Sequence, residues 1–170
     1  VILDDSKISR KLCQSLNDSK KLKPNTREAL LQELALRARI GFGQASVAEI
    51  DELNILQAAL LAMARAVSNL GKPDPEYALV DGNHAPVLDC PTKCIVKGDS
   101  LSLSIAAASI VAKVERDRIM RNLDLSFPGY GWAQNCGYGT LEHQNALVRL
   151  GVTPEHRKSF APVRKILSSE

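Results

Sequence analysis

The sequence has no apolar run long enough to span a membrane and only four cysteines among its 170 residues. A membrane-spanning helix needs about 18 or more consecutive apolar residues, so we expect no such helix here. No secretory signal pattern is visible, and we expect a cytoplasmic protein. The cysteines, Cys13, Cys90, Cys94 and Cys136, are too few for a disulfide framework. The spacing of Cys90 and Cys94 matches no common zinc pattern, so we expect reduced thiols.

The sequence also lacks the motifs of two common kinds of site, a phosphate-binding loop and a nucleophilic catalytic site. The sequence contains no glycine-rich phosphate loop of the P-loop or dinucleotide-binding type. Its three histidines, His84, His143 and His156, have no serine or cysteine partner at a spacing diagnostic of nucleophilic catalysis. We therefore interpret them as histidines of loops or helix surfaces.

The length and composition favour one compact domain covering 1–170. At 45% hydrophobic residues the chain can build a full core. The formal net charge of +3 permits a polyanionic partner without requiring one. Nothing in the pattern requires more than a monomer. The chain begins Val1-Ile2-Leu3, as if in the middle of a strand, so we expect the domain to be incomplete at its N-terminus.

Apolar spacing and capping residues predict three helices besides the one discussed below. Pro24 is well placed as the first residue of a helix over 24–37. Ser46 and Glu49 form a capping box that opens a helix reaching to near Gly71. Thr140 can cap a last helix that stops at 151. Residues 40–45, which alternate with glycines, predict a short strand near a sheet edge.

A short apolar run over 77–80 predicts a strand covered on both faces, as in mixed or parallel α/β sheets. Asp81 follows it directly, at the carboxyl end where open α/β sheets place their sites. A second strand over 94–97 leads into a helix. The resulting order of strand, crossover, strand and helix indicates an α/β fold.

The segment from Lys97 to Arg118 is the centre of the predicted architecture. At about 100° per residue, Leu103, Ala107, Ile110 and Val114 fall on one apolar helix stripe. Asp117 falls on that stripe too, and a carboxylate on a buried face is costly unless it is paired or binds a cation. Either a salt bridge to a nearby arginine or a metal-binding role explains it.

Asp81 and Asp117 are the pair of acids that a mixed α/β fold can bring together. Two carboxylates held close repel each other unless a divalent cation neutralises them. Oxygen ligands suit Mg²⁺ or Mn²⁺. The alternative is an Asp-Gly turn at Asp81 and an unrelated ion pair at Asp117.

Other residues are candidates for nucleic-acid contact. Tyr138, between two glycines, can present its ring to a sugar or base, or pack on the core as a turn tyrosine. Lys20, Lys97, Arg157 and their basic neighbours can form a rim that contacts phosphates, or can simply be solvated.

Taken together, the segments resemble ribonuclease HII, a family that cleaves RNA in RNA–DNA hybrids. Any one matching segment is weak, but their order along the chain is specific. The matching segments are Asn17-Asp18-Ser19-Lys20-Lys21-Leu22, Glu49-Ile50-Asp51 with Asn54-Ile55, Val80-Asp81-Gly82, Val96-Lys97-Gly98-Asp99, Ala107-Ala108-Ser109-Ile110-Val111-Ala112-Lys113-Val114, Arg116-Asp117-Arg118, Phe127-Pro128-Gly129-Tyr130-Gly131, Gly137-Tyr138-Gly139-Thr140 with Glu142-His143, and His156-Arg157-Lys158-Ser159-Phe160-Ala161-Pro162-Val163.

The resemblance implies a ribonuclease H-like fold, with a mixed sheet flanked by helices, and a site of four acids. Asp81 and Asp117 match the third and fourth acids, which are catalytic and bind Mn²⁺ or Mg²⁺. The first two belong to a Gly-x-Asp-Glu-x-Gly-Arg-Gly motif that is absent from these 170 residues. Its Gly-Arg-Gly backbone recognises the ribose 2′-hydroxyl.

The resemblance also implies a set of substrate contacts. Tyr138 matches the tyrosine that acts at the RNA–DNA junction. Ser19, Lys20, Lys97 and Arg157 lie in the matching segments, and we predict that they also bind substrate. Asn135 and Cys136 stand where the family usually has His-Lys, which removes a positive charge. The implied substrates are RNA–DNA hybrids and DNA containing ribonucleotides. The implied reaction is metal-assisted hydrolysis that incises 5′ to a misincorporated ribonucleotide and leaves 5′-phosphate and 3′-hydroxyl ends.

Since two of the four acids are missing, we expect residues 1–170 alone to be inactive. Two other interpretations remain open at this point. One is a non-catalytic, nucleic-acid-binding remnant of the family that keeps Tyr138 and the basic tail. The other is a metal-free interaction module with no role in nucleic-acid metabolism.

Overall fold

The computed structural model describes residues 1–168 and divides into two compact units. The first unit comprises 1–44 and 59–114, and the second comprises 45–58 and the residues from 115 onward. Across the described residues, no helix is both long and apolar enough to cross a membrane.

The described residues form short strands and many helices. The strands are β1 (Ile2–Leu3), β2 (Ala38–Arg39), β3 (Ala78–Asp81) and β4 (Thr92–Ile95). The helices are α1 (Arg10–Ser15), α2 (Pro24–Ala35), α3 (Val47–Leu53), α4 (Ile55–Ser68), α5 (Leu103–Ser126), α6 (Trp132–Asn135), α7 (Leu141–Leu150) and α8 (Ala161–Leu167). A 3₁₀ turn, Gly98–Ser100, lies between β4 and α5.

The strands form two small pairs. In the antiparallel pair, Ile2 of β1 lies opposite Arg39 of β2. In the parallel pair, Asp81 of β3 lies opposite Ile95 of β4. The strand predicted over 77–80 is therefore present one residue later, and the one predicted over 94–97 begins two residues earlier. The prediction that β3 is covered on both faces is wrong, because Val80 is buried while Leu79 is 40% exposed.

The strand predicted over 40–45 is also wrong, since the pairing ends at Arg39. The glycines of this segment serve helix packing instead. A Cβ atom on Gly41 would lie 2.1 Å from the carbonyl oxygen of Ala66, and one on Gly43 would lie 2.0 Å from that of Ala62. Only glycine permits so close an approach of two backbones.

The capping box at the start of α3 is confirmed. The Ser46 hydroxyl accepts from the Glu49 N–H, and the Glu49 carboxylate accepts from the Ser46 N–H. The single helix predicted to follow it is wrong, because Asn54 adopts φ +73° and divides it into α3 and α4. The Asn54 side-chain oxygen then accepts from the N–H groups of Leu56 and Gln57, so this residue caps α4.

The core of the first unit packs α1 and α2 with the N-terminal half of α5. The predicted stripe on α5 is confirmed for Ala107, Ile110 and Val114, which are buried, whereas Leu103 is 43% exposed. The sequence pattern does not predict helix α1. Ser9 caps it, and Leu12 is its buried residue. The buried residues of this core are Leu12, Leu16, Leu30, Leu31, Leu34, Ala106, Ala107, Ile110, Val111 and Val114.

The core of the second unit is rich in rings. It contains Tyr130, Trp132, Ala146, Leu147 and Val163. Two histidines share it, which corrects the prediction that they lie on loops or helix surfaces: His143 is 5% and His156 is 6% exposed.

Helix α7 follows the predicted pattern. Thr140 caps it and Gly151 ends it, as predicted. It is not the last helix, however, because Pro162 lies at the start of α8.

Candidate active site

Asp81 lies at the end of β3, where the chain leaves the sheet. Its Oδ1 atom accepts a hydrogen bond of 2.8 Å from the backbone N–H of Gly98. The residue is exposed to solvent. One carboxylate oxygen is therefore held in place while the group as a whole stays accessible, as a ligand or catalytic acid requires.

The turn after β4 supplies this hydrogen bond, and its geometry explains the Lys97-Gly98 sequence. Lys97 adopts the left-handed conformation with φ +57°. A Cβ on Gly98 would lie 2.5 Å from Cδ1 of Ile105 and 3.4 Å from Oδ1 of Asp81. A side chain at this position would therefore have to displace the end of the buried Ile105 side chain, whereas glycine brings the N–H against Asp81 without any shift. The sequence pattern marks this segment as a matching motif but indicates no role for Gly98.

Lys97 itself is exposed beside this turn. Its carbonyl oxygen accepts from the N–H and the hydroxyl of Ser100, so the backbone that carries the lysine is fixed. The structure thus places a cation on the residue next to Gly98. Its contact with substrate stays a prediction.

Ser19 and Lys20 lie on the loop between α1 and α2 and differ in their settings. Ser19 is 4% exposed, and its hydroxyl lies 2.8 Å from that of Ser109 on α5. Lys20 is exposed, and its N–H donates to Asp18. The Ser19 side chain is therefore occupied in holding the loop, and Lys20 is the residue that faces solvent.

A buried arginine that sequence reasoning missed stiffens this loop. Arg27 on α2 is 7% exposed, and its Nη1 donates to the carbonyl oxygens of Ser19 at 3.0 Å and Leu22 at 2.6 Å. Its position in the first turn of α2 gave no signal in the sequence, since an arginine there is usually solvated.

Asp117 lies on α5, three residues after the buried Val114, and is half-buried. This agrees with the predicted placement on the apolar stripe. Nearby, Arg118 forms an ion pair with Glu115 at 3.6 Å. Asp81 belongs to the first unit and Asp117 to the second. A site shared by the two carboxylates stays a prediction.

Tyr138 is 63% exposed, on the loop between α6 and α7. The guanidinium of Arg116 lies over its ring, 5.2 Å from the centroid. The neighbouring backbone is fixed by bonds from the Tyr138 N–H to the Asn135 carbonyl and from the Gly137 N–H to the Asn135 side chain. The ring is therefore a surface platform backed by a cation rather than a core residue.

Arg157 begins the basic tail and stacks on Phe160 at 5.6 Å. The following residues are bound to an acid on α3. The Asp51 carboxylate accepts from the N–H groups of Lys158 at 2.8 Å and Ser159 at 2.9 Å, and from the Ser159 hydroxyl at 2.5 Å. The Ser159 hydroxyl, together with the two backbone donors, lowers the pKa of Asp51. Sequence reasoning assigned Asp51 no role.

Asp81 and Asp117 provide only part of the ligand set that a Mg²⁺ or Mn²⁺ site requires. Asp81 and Asp117 offer carboxylate oxygens, the donors that Mg²⁺ and Mn²⁺ prefer. Within residues 1–168, however, no group of three or more His, Cys, Asp or Glu side chains is arranged to hold a metal ion. Two carboxylates are half of the set that the predicted site requires.

Comparison with known proteins gives a consistent result. The family model for ribonuclease HII matches residues 2–163. Ribonuclease HII from Paramagnetospirillum magneticum is 54% identical over 167 residues, covering 98% of this chain and 83% of that protein. Ribonuclease HII from Rhodospirillum rubrum is 54% identical over 170 residues, covering 99% and 78% respectively.

Solved structures support the fold. Ribonuclease H2 from Pyrococcus horikoshii superposes with a TM-score of 0.74 at 23% identity, covering 98% of this chain and 87% of that one. Ribonuclease HII from Archaeoglobus fulgidus, solved in complex with PCNA, gives a TM-score of 0.70 with the same identity and coverage. The mixed α/β fold expected from the sequence is thus confirmed, and the chain belongs to the ribonuclease HII family.

Proposed function

We propose that this protein is an endonuclease that hydrolyses the RNA strand of RNA–DNA hybrids and incises DNA 5′ to misincorporated ribonucleotides. The observation that carries the proposal is the setting of Asp81, an exposed carboxylate at the end of a strand with one oxygen fixed by the Gly98 N–H at 2.8 Å. Family membership supplies the reaction class, and the exposed ring of Tyr138 supplies a surface for a base or sugar.

Asp81 and Asp117 are the residues proposed to bind Mg²⁺ or Mn²⁺. When bound, such cations supply the charge that activates water and stabilises the leaving 3′ oxygen, which leaves 5′-phosphate and 3′-hydroxyl ends. The role of Asp81 is to present a preoriented anionic oxygen. Lys20, Lys97 and Arg157 are proposed to contact phosphates of the substrate.

Residues 1–170 by themselves are proposed to bind the substrate without cleaving it. Two of the four acids, and the Gly-Arg-Gly segment beside them, are absent from this sequence. A duplex DNA containing one ribonucleotide, incubated with the purified chain and Mg²⁺ or Mn²⁺, is expected to stay intact. Mg²⁺-dependent nicking at the ribonucleotide would contradict this part of the proposal.

The second candidate function is nucleic-acid binding without catalysis. It is favoured by the lack of a three-ligand metal group in the described part of the chain. The intact mass of the protein isolated from its own cells separates the two candidates. A mass larger than that of residues 1–170 favours the nuclease, and a mass equal to it favours the binding protein.

We also propose that the protein works as a monomer in the cytoplasm. Support for a reducing compartment comes from its four cysteines, all of which are free thiols.

Replacing Tyr138 by alanine is expected to weaken binding of the chain to an RNA–DNA hybrid about tenfold, because stacking on one base contributes roughly 1–3 kcal/mol. Fluorescence anisotropy of a labelled hybrid measures this. The matched control is Tyr77→Ala, which removes another exposed tyrosine, 55% accessible, from the first unit. Equal affinities of the Tyr138 variant and the wild-type chain would remove Tyr138 from the binding surface.

A further inference from the structure

Asp51, an acid of the second unit, makes a set of hydrogen bonds that has no role in the proposed reaction. Asp51 lies on α3, more than a hundred residues before the tail, yet both its carboxylate oxygens accept hydrogen bonds from it. Oδ2 accepts from the Lys158 N–H, and Oδ1 accepts from the N–H and hydroxyl of Ser159. A carboxylate is the one side chain that offers two acceptor oxygens and no donor, so the arrangement selects an acid.

The segment held by Asp51 supports two predicted substrate contacts. Arg157 precedes the two bound N–H groups and stacks on Phe160, which follows them. Phe160 in turn packs against the backbone beside Tyr138, because a Cβ on Gly139 would lie 2.9 Å from its Cζ atom. A path of direct contacts therefore leads from Asp51 to the tail segment and on to the Tyr138 loop.

We propose that Asp51 is a positioning residue for substrate binding: its carboxylate fixes residues 157–160, and through them the guanidinium of Arg157 and the loop that presents Tyr138. This inference rests on the proposed function, because it takes Arg157 and Tyr138 as contacts of the nucleic acid. The lowered pKa of Asp51 agrees with a carboxylate that stays ionised against these donors.

The change in net charge and the loss of positioning are expected to change the binding affinity in opposite directions. Removing an acid from a nucleic-acid-binding protein makes the protein more positive, which by itself strengthens binding to a polyanion. Loss of the Asp51 carboxylate is expected to weaken binding, because the ordered tail is lost. Its neighbour Glu52 is exposed on the same helix and provides a control with the same change in charge.

The test measures binding of the whole chain to a labelled DNA duplex containing one ribonucleotide, at a temperature well below the melting temperature of every variant. Asp51→Ala is expected to bind about tenfold more weakly, since hydrogen bonds to a charged group are among the strong ones. Asp51→Asn and Ser159→Ala, which each keep part of the arrangement, are expected to lie between Asp51→Ala and the wild-type chain. Glu52→Ala is expected to bind as tightly as the wild-type chain or slightly more tightly.

A double-mutant cycle distinguishes positioning from a general loss of stability. Because Asp51 is proposed to act through the Tyr138 loop as well as through Arg157, the loss in the double variant is expected to be smaller than the sum of the Asp51→Ala and Tyr138→Ala losses, whereas independent effects add. Hydrogen exchange of the Lys158 and Ser159 amides should also accelerate in Asp51→Ala and not in Glu52→Ala.

The failures of the two proposals are distinguishable. If the wild-type chain does not bind the duplex, the proposed function fails and this inference fails with it. If Tyr138→Ala weakens binding and Asp51→Ala binds like Glu52→Ala, only the positioning role is overturned. Fully additive losses in the cycle would overturn it as well.

Discussion

Asp81→Asn and Asp117→Asn are each expected to lower cleavage of an RNA–DNA hybrid at least about a hundredfold while leaving hybrid binding largely intact, because each removes an anionic ligand from metal-assisted hydrolysis. In the Asp81→Asn variant the introduced amide oxygen can still accept from the Gly98 N–H, so the local structure is preserved and only the charge is lost. A carboxylate offsets part of the positive charge of a divalent cation, and the neutral amide does not.

This experiment needs all four acids. The suitable protein is therefore a polypeptide in which a first strand carrying the Gly-x-Asp-Glu-x-Gly-Arg-Gly motif precedes Val1, with residues 1–170 alone as the inactive reference. Initial rates and dissociation constants are measured separately. Asp124→Asn on α5 and Asp89→Asn in the loop before β4 control for the loss of one negative charge. Near-full activity of either the Asp81 or the Asp117 variant would remove that residue from the site.

The parts of the fold that could be predicted from the sequence are those fixed by neighbouring residues. The capping box of Ser46 and Glu49, the buried stripe of α5 and the cap of Thr140 all depend on groups three or four positions apart. The break between α3 and α4 could not be predicted, because the apolar spacing continues through it. It results from the positive φ and the capping side chain of Asn54.

The glycine-rich segment at 40–45 shows a different cause of error. Apolar residues alternating with glycines favour a strand by pattern, yet Gly41 and Gly43 are there because the α4 backbone comes too close for any side chain. Such a constraint belongs to a partner more than fifteen residues away in the chain. A single sequence gives no sign of it.

The residues of the candidate site also differ in whether neighbouring sequence or distant elements determine their position. Asp81 could be predicted because it ends a recognisable strand. The groups that hold the site residues in place could not be predicted. Arg27 donates to the carbonyl oxygen of Ser19 from another element, and Asp51 binds the tail over a separation of 107 residues. These positioning residues have ordinary local patterns, and only the tertiary structure distinguishes them from solvated charges.

The stability of the protein is expected to fall as the pH decreases from about 6.5 to about 4, because of His156. This ring is buried among Tyr130, Trp132 and His143, with centroids 5.0 to 5.3 Å away. Its Nδ1 accepts from the Thr153 N–H at 3.1 Å and lies 2.8 Å from the Thr153 hydroxyl. Its Nε2 is buried without a hydrogen-bond partner among the described residues.

Burial, reinforced by the charge of His143, lowers the pKa of His156 from 6.5 to about 4. The native state therefore favours the neutral ring, while the unfolded state binds a proton at the ordinary pKa. Below pH 6.5 the unfolded chain carries more protons than the native one, so the free energy of unfolding decreases with falling pH until His156 also titrates in the native state. The full effect is about 3 kcal/mol, from roughly 1.4 kcal/mol per pKa unit.

Urea unfolding at a series of pH values from about 7 to about 4 measures this loss. Carboxylates with lowered pKa values, such as Asp51, act in the same direction at the acidic end, so the contribution of His156 has to be isolated by substitution. His156→Phe keeps a ring in the core and cannot be protonated, and it should flatten the dependence between pH 6.5 and 4.5 even if it lowers stability at neutral pH. His84→Gln, at an exposed position, should retain the wild-type slope. An unchanged slope in His156→Phe would mean that this ring is protonated as readily in the native core as in the unfolded chain.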